Sequence, residues 1–498
     1  MKKDTCDYIL LCDIMKIYKK ENMIPIAILD YGIVTRGMKI GEGNMRISVL
    51  TAGAIPGTND LQTSAFQKAL DEVFLAGGGV VEVPSGEYVI GAIRVRSNTT
   101  LHLHSGACLL GSRDPQDYYV LQNDTLEPLC EKMRTEKLFE RPPKDQKRDY
   151  SFMLPGGRWS NGLIRICCAE NVTIVAEQGA VIDGRDCYDE VGEESYRGPH
   201  GIAIHHSSNI KLVGYTIQNT GNWAHCIYHS RNILCDGLTV KGGHDGVHFR
   251  GCENVVVKNS EFYTGDDCVA GFANINMRVS DCVMNTACSG LRLGGTNVIV
   301  ERSHFFGPAK YFFRGSLTLE EKKNGILAVC GSKRKNMLSV LTYFADFSMP
   351  IPVQPDHMVL RDCTAECVDR FLHYNFSGNE RWQAGSPLKG LTIENVKATG
   401  ISMPLTAYGS PDVPLDLVMR NVSIQFTDRE DGVSVPVMRA AHCARVVMDN
   451  VEILKNTDGE LIRSWSEFWG VRCENVSYHV PKDNWFAVAD EPFVCKSI

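Results

Sequence analysis

Three aspartates sit in two segments of matching form: Asp245 in Gly-Gly-His-Asp-Gly-Val-His-Phe (242–249), and Asp266 with Asp267 in Thr-Gly-Asp-Asp-Cys-Val-Ala-Gly (264–271). Aligning Asn232-Ile-Leu-Cys on Asn254-Val-Val-Val places Asp245 on Asp267 and His244 on Asp266, an offset of 22 residues. If that offset is one structural repeat, Asp245 and Asp267 point the same way from adjacent strands, about 4.7–4.9 Å apart. Carboxylates that close resist ionising together, and can share a water or a cation. Asp266 and Asp267 would face opposite sides of a flat strand, and the preceding Gly265 offers a bend that turns both toward one cleft. The set supplies one carboxylic acid to protonate a leaving oxygen and a separate carboxylate pair to activate water, as inverting glycoside hydrolysis requires. Any one of the three alone reads as an ordinary turn aspartate. Their shared register is what distinguishes them.

The element that must position them is a repeat. Asn171-Val-Thr-Ile-Val, Asn209-Ile-Lys-Leu-Val, Asn232-Ile-Leu-Cys, Asn254-Val-Val-Val, Asn276-Met-Arg-Val and Asn297-Val-Ile-Val each open a short β-branched run. From Asn209 the steps are 23, 22, 22 and 21 residues, a fixed period that indicates a solenoid. Gly, Asn and Asp turns between short alternating runs select β-strands over helices. The expected fold is all-β: a single-stranded parallel β-helix, one coil per repeat. The period resumes at Met358-Val-Leu-Arg-Asp-Cys, Leu391-Thr-Ile-Glu-Asn-Val, Leu417-Val-Met-Arg-Asn-Val, Val446-Val-Met-Asp-Asn-Val and Val471-Arg-Cys-Glu-Asn-Val.

A capping helix is predicted at the amino-terminal end, because an open β-helix exposes its core and strand edges. Thr58-Asn-Asp offers its start, Phe66, Ala69, Leu70, Val73 and Phe74 form one apolar face, and Gly77-Gly-Gly stops it. After it, Val80-Val-Glu-Val, Ile93-Arg-Val and Leu101-His-Leu-His read as first coils. Residues 1–47 read as a leading β-rich extension, and 48–498 as the β-helix domain, broken by insertions at about 112–158 and 308–357. Insertions in a solenoid commonly emerge on the binding face.

With 498 residues, 44% hydrophobic and 22% charged, the chain can bury a sizeable core. A formal charge of −7 argues against a nucleic-acid surface. No apolar run approaches the ~20 residues of a membrane helix. The stretch around Tyr8-Ile-Leu-Leu-Cys is bracketed by Asp7 and Asp13 and makes no convincing signal peptide. The 19 cysteines are an odd number with no Cys-x-x-Cys and histidine pattern, so they read as reduced, buried thiols of a cytoplasmic protein. No metal or cofactor is called for, and oligomeric state is left open.

The residues quoted above, together with Ala76-Gly-Gly-Gly-Val-Val-Glu-Val-Pro-Ser-Gly, Leu101-His-Leu-His-Ser-Gly-Ala-Cys-Leu-Leu-Gly-Ser, Asn222-Trp223, His244-Asp245-Gly246 and Gly265-Asp266-Asp267-Cys268, resemble glycoside hydrolase family 28. These are the polygalacturonase-like members of the pectin-lyase-like β-helix proteins. The resemblance covers roughly 47–300 well and the later coils loosely. It implies a right-handed helix and an inverting hydrolase, with Asp266 as general acid and Asp245 and Asp267 holding and deprotonating the water. The departures concern the surroundings. Gly243-His244 replace the family's Asn-Thr, Ser289 stands at the histidine of its Gly-His-Gly motif, His248 replaces a further acid, and Arg-x-Lys has no clear counterpart.

Those replacements supply the substrate-binding candidates: His244, His248, Ser289 and Arg292, with Arg250 or Arg314 as further cations for an acidic sugar and Trp223 as a platform for a sugar ring. The expected function is an inverting glycosidase, exo-acting on a plant-derived oligosaccharide or small glycoside. A lyase or epimerase on the same fold, or a non-catalytic carbohydrate-binding β-helix, are the alternatives.

Overall fold

Short strands with β-branched side chains on one face bury that face only by stacking coil on coil. The computed structural model describes residues 45–118, 161–324, 336–345, 353–376, 386–427 and 436–455, and the backbone of 462–464, 471–474 and 477–479. Through them runs a right-handed, single-stranded parallel β-helix. The core is a set of in-register ladders. One runs Leu101, Ile174, Leu212, Cys235, Val257, Val279, Val300, Leu360, Ile393, Met419 and Met448, each paired with the next and each buried. Cys235 fills its place there as a small apolar side chain. All cysteines whose side chains are described are free thiols.

The repeated asparagines hold the corners. Asn98, Asn171, Asn209, Asn232, Asn254, Asn276 and Asn297 all adopt left-handed backbone conformations, which asparagine tolerates better than most residues. Each side-chain amide donates to the carbonyl oxygen of the one before, at 2.8–3.2 Å. Beyond Asn297 the ladder moves to the far end of the same strand. There Asn395 donates to Asp362, Asn421 to Asn395 and Asn450 to Asn421, at 2.8–3.0 Å. This is why the repeat signature opens with asparagine in early coils and closes with it in late ones.

The capping helix spans Thr63–Leu75 and buries Ala65, Phe66, Ala69, Leu70 and Val73. Its start lies beyond Thr58, whose hydroxyl instead accepts from the Asp60 N–H within a turn at 2.8 Å. Gln62 occupies the cap position. Phe74 stays on the rim, under the Arg96 guanidinium at 5.3 Å. Most of the 1–47 extension lies outside the described residues, but Met45–Ser48 is a strand paired with Gly79–Val83. Of 112–158, only 112–118 is described, with a short 3-10 turn at Pro115–Tyr118. Within 308–357, the helix Leu319–Lys323 carries a Thr318/Glu321 capping box. The same stretch also contains a regular coil strand, Met337–Tyr343, paired to Ser289–Glu301 and Val368–Asn375.

Candidate active site

The aspartates occupy successive corners of neighbouring coils: Asp245 between strands Thr239–Gly242 and Val247–Arg250, Asp266 and Asp267 between Glu261–Thr264 and Val269–Ser280. The backbone stacks these corners, Gly246 N–H donating to the Asp267 carbonyl at 2.9 Å and Cys268 N–H to that of Ser289 at 3.1 Å. Two columns result. Trp223, Asp245, Asp267 and Ser289 form one, and Asn222, His244, Asp266 and Cys288 the other. Gly265 is required here for space: a Cβ would overlap the Phe312 carbonyl. Its backbone does not enter the left-handed region.

One oxygen from each of the three carboxyl groups lies within 4.8 Å of the others. Asp245 accepts from His248 Nδ1 at 2.7 Å and, through Oδ1, from the Asp267 N–H at 3.3 Å. Asp267 accepts from the Ser289 N–H at 3.0 Å and lies 3.4 Å from Arg292 Nη1. Asp266 is the more open of the three, 16% exposed, and 4.0 Å from Arg197 Nη2. Thr264 and Thr286 hydroxyls both donate to its backbone carbonyl and fix the corner. Burial and the neighbouring carboxylates hold all three carboxyl groups above the usual range. Burial, then Asp245, pushes Asp266 up to about 7, while burial and the mutual repulsion of carboxylates raise Asp245 and Asp267. Three oxygens so placed also suit a cation, although Arg197 and Arg292 already bring positive charge to them.

The predicted binding residues divide by position. Arg292 points at Asp267 and lies over the Phe344 ring at 4.1 Å. Ser289 acts through its backbone N–H, its hydroxyl donating to Thr342 at 3.2 Å. Trp223 is buried, its ring stacked 3.9 Å from that of His248 at 7°. His248 in turn accepts from Arg250 Nε at Nε2, 3.0 Å away. Burial, then Arg250, holds this ring neutral, so its single proton sits on Nδ1 and is donated to Asp245. Arg250 is boxed by Trp223, Tyr228 and Phe272 at 5.2–5.4 Å. It supports His248 from behind. The corner at 243–246 separates His244 from His248: His244 stacks on Tyr196 and accepts from Arg197 Nη1 at 3.0 Å. Arg314 is fully buried, bonded to Asp186 and to the Lys322 carbonyl.

Several neighbours were not anticipated. Arg197, in the irregular stretch after Tyr188–Glu193, bonds Asn222 Oδ1 at 3.1 Å, His244 and Glu194, and faces Asp266. A cavity of about 330 Å³ opens beside the carboxylates, lined by Asp266, Asp267, Arg292, Ser339, Arg370 and His373 among others. Its far wall comes from coils as late as those carrying His373 and Met403, whose only sequence signal was the resumed period, and from the coil of Ser339 and Thr342, which had none.

Residues 154–294, the stretch carrying all three aspartates, match the family model described as Glycosyl hydrolases family 28. A probable polygalacturonase of Vitis vinifera is 29% identical over 236 residues, covering 45% of this chain and 43% of that protein. An exo-poly-alpha-D-galacturonosidase of Dickeya chrysanthemi is 25% identical over 257 residues, covering 45% and 41%. The chain thus spans less than half the length of these curated relatives. An exopolygalacturonase from Thermotoga maritima has the same fold, with a TM-score of 0.54 at 15% identity over 87% of this chain and 92% of that one. The resemblance to family 28 and to its β-helix fold is shown by these matches.

Proposed function

We propose that this chain is an inverting glycoside hydrolase of the polygalacturonase-like group, exo-acting on a plant-derived oligosaccharide or small glycoside in the cytoplasm. The observation that carries the proposal is the division of labour among three clustered carboxyl groups. Asp266, part exposed, lining the cavity and facing Arg197, is the one placed to present a proton to a leaving oxygen there; burial raises all three carboxyl groups, Asp245 included, so position and not the shift separates the roles. Asp245 and Asp267 lie deeper and stacked, each fixed by a backbone N–H and by His248 or Arg292. They hold a water between them and take its proton as it attacks.

Walls on both sides of the carboxylates support an exo-acting pocket. Tyr196, Arg197 and Lys322, whose ammonium lies 4.0 Å from the Tyr196 ring, pack on one side, and Arg370 and His373 line the other. Arg292 and Arg370 give the cavity cations suited to an acidic sugar. Free thiols at the described cysteines suit a reducing compartment. A panel of oligogalacturonides and rhamnosyl, xylosyl and apiosyl glycosides tests the proposal: release of a terminal sugar by the native chain, lost in Asp266→Asn, supports it. Binding without hydrolysis across the panel, unchanged by that substitution, would leave only a carbohydrate-binding solenoid. Chelator-sensitive appearance of an unsaturated, ultraviolet-absorbing product would indicate a lyase.

One observation favours a second stereochemical course. Inverting enzymes commonly separate acid and base by about 6.5–9.5 Å and retaining ones by about 5–5.5 Å, and the carboxylate oxygens here approach within 4.8 Å. Such closeness keeps a covalent intermediate open as the second reading. The stacked pair points to inversion, because a water held by Asp245 and Asp267 together needs no wide gap between one acid and one base.

A further inference from the structure

A second cluster of chemistry-bearing side chains lies on the outer face of the first coils. Strand alternation turns Val81, Val83, Leu101 and Leu103 into the core, which leaves Glu82, His102 and His104 pointing outward. Glu82 and His102 are register partners on adjacent strands, and His104 follows two residues on, sharing the face of His102. Glu177 stands beside them at the end of the next strand, its backbone N–H donating to the Leu103 carbonyl at 2.9 Å.

From this arrangement we propose a zinc-class divalent cation site in which Glu82 Oε2, His102 Nδ1 and His104 Nε2 are the protein ligands and a water completes the tetrahedron. The three residues offer ligand atoms that all lie within 4.8 Å of one another, and His102 Nδ1 is 3.1 Å from Glu82 Oε2. Ligands about 2.0–2.1 Å from a tetrahedral zinc are separated by roughly 3.3 Å; His104 Nε2, now 2.5 Å from Glu82 Oε2, would draw back to admit the ion. The mixed imidazole and carboxylate donor set suits zinc over calcium or magnesium.

Two further features fit the same assignment. Glu82 uses its other oxygen, Oε1, to bind Arg46, so Oε2 is the one left to the histidines. The second nitrogen of each ring faces Glu177 Oε1: His104 Nδ1 at 3.2 Å and His102 Nε2 at 3.5 Å. A carboxylate behind metal-binding histidines fixes their tautomer and orientation. A neutral imidazole has one N–H, and here both nitrogens of both rings face carboxylate oxygens. With the outward nitrogens donating to Glu177, the inward pair present lone pairs toward Glu82. Glu82 Oε2 and the two inward nitrogens then converge as three donor atoms for one cation.

The site ties together three successive coils next to the capping helix, on a different strand ladder from those flanking the three aspartates. A cation there would cross-link the first coils at the amino-terminal end of the solenoid with one water-filled position left open, and it does not depend on the proposed hydrolase activity. Full-length protein stripped with chelator and titrated with zinc chloride alone tests it. The expected result is one tight equivalent per chain and a thermal midpoint that rises on zinc addition. X-ray absorption should show nitrogen and oxygen ligands at about 2.0–2.2 Å and no sulfur. His102→Ala and His104→Ala should abolish the tight equivalent, Glu177→Gln should weaken it about 10–100-fold, and Asp266→Asn should leave it unchanged. His104 and Glu177 are 37% and 46% exposed, so these variants should fold, and their unzinced midpoints provide the check. Absence of tight binding, binding that survives both histidine substitutions, binding lost in Asp266→Asn, or a sulfur shell would each overturn the assignment.

Discussion

Asp266 and Asp267 are adjacent in the chain, yet one faces the cavity beside Arg197 and the other lies beneath Arg292 on a column with Asp245. The sequence carried the aspartates and their register, because a repeat converts spacing into proximity. It did not reveal Arg197, which reaches Asp266 from an aperiodic stretch, or the pairing of His248 with Asp245 across a corner. With Asp266 as the proposed acid, Asp266→Asn should lower kcat by about 10²–10⁴-fold on any substrate found. Its carboxyl titrates near 7 in the fold against 3.8 as a free group, so activity that needs the protonated acid should fall as pH rises through about 7. The same shift sets a stability trend. The fold favours protonated Asp266, a contribution fully present below about pH 4 and lost as pH rises through about 7. Asp266→Asn should thus raise the thermal midpoint at pH 8 and leave it nearly unchanged at pH 4. Removing the Arg197 charge should raise the Asp266 pKa further. Arg197→Gln is expected to move the alkaline fall of kcat/KM to higher pH, with Arg197→Lys closer to the native profile.

Among the elements, the corners carry most of the specification. The asparagine period was legible because left-handed corners and amide ladders both favour that residue, and it gave coil boundaries directly. The start of the capping helix was misplaced because Thr58 has the chemistry of a cap but spends it on its own turn. The strand Met337–Tyr343 escaped notice within a charged stretch, since its period is interrupted on both sides. Asn254 both donates to Asn232 and accepts from Asn276, so Asn254→Ala should cost about 1–3 kcal/mol from two lost bonds and an unfavourable left-handed alanine, read by chemical denaturation. Gly265→Ala would force the Phe312 carbonyl away from the Asp266 corner. Its expected signature is a large loss of kcat with a lowered thermal midpoint, whereas the same change at the exposed Gly57, strained by its left-handed backbone (φ 77°) but meeting no atom within 4 Å, should lower the midpoint and spare activity.

For the whole molecule, stacking brings coils distant in sequence to one opening. Asp267, Arg292, Arg370 and His373 meet at the cavity only because successive coils add about 4.8 Å each, while Arg197 faces Asp266 from elsewhere in the chain and Lys322 lies over its neighbour Tyr196. The β-helix and the corner with the three aspartates could be read from periodicity, but the approach of Arg197 and Lys322 could not, since both lie where the period breaks. The account rests on Asp245 and Asp267 acting as a water-holding pair opposite Asp266. Anomer-resolved NMR of the first turnovers on a cleaved glycoside tests this most directly. The account predicts that the sugar first appears with its anomeric configuration inverted, and then mutarotates. A product that first appears with configuration retained would contradict it, and would make one of the paired aspartates a nucleophile.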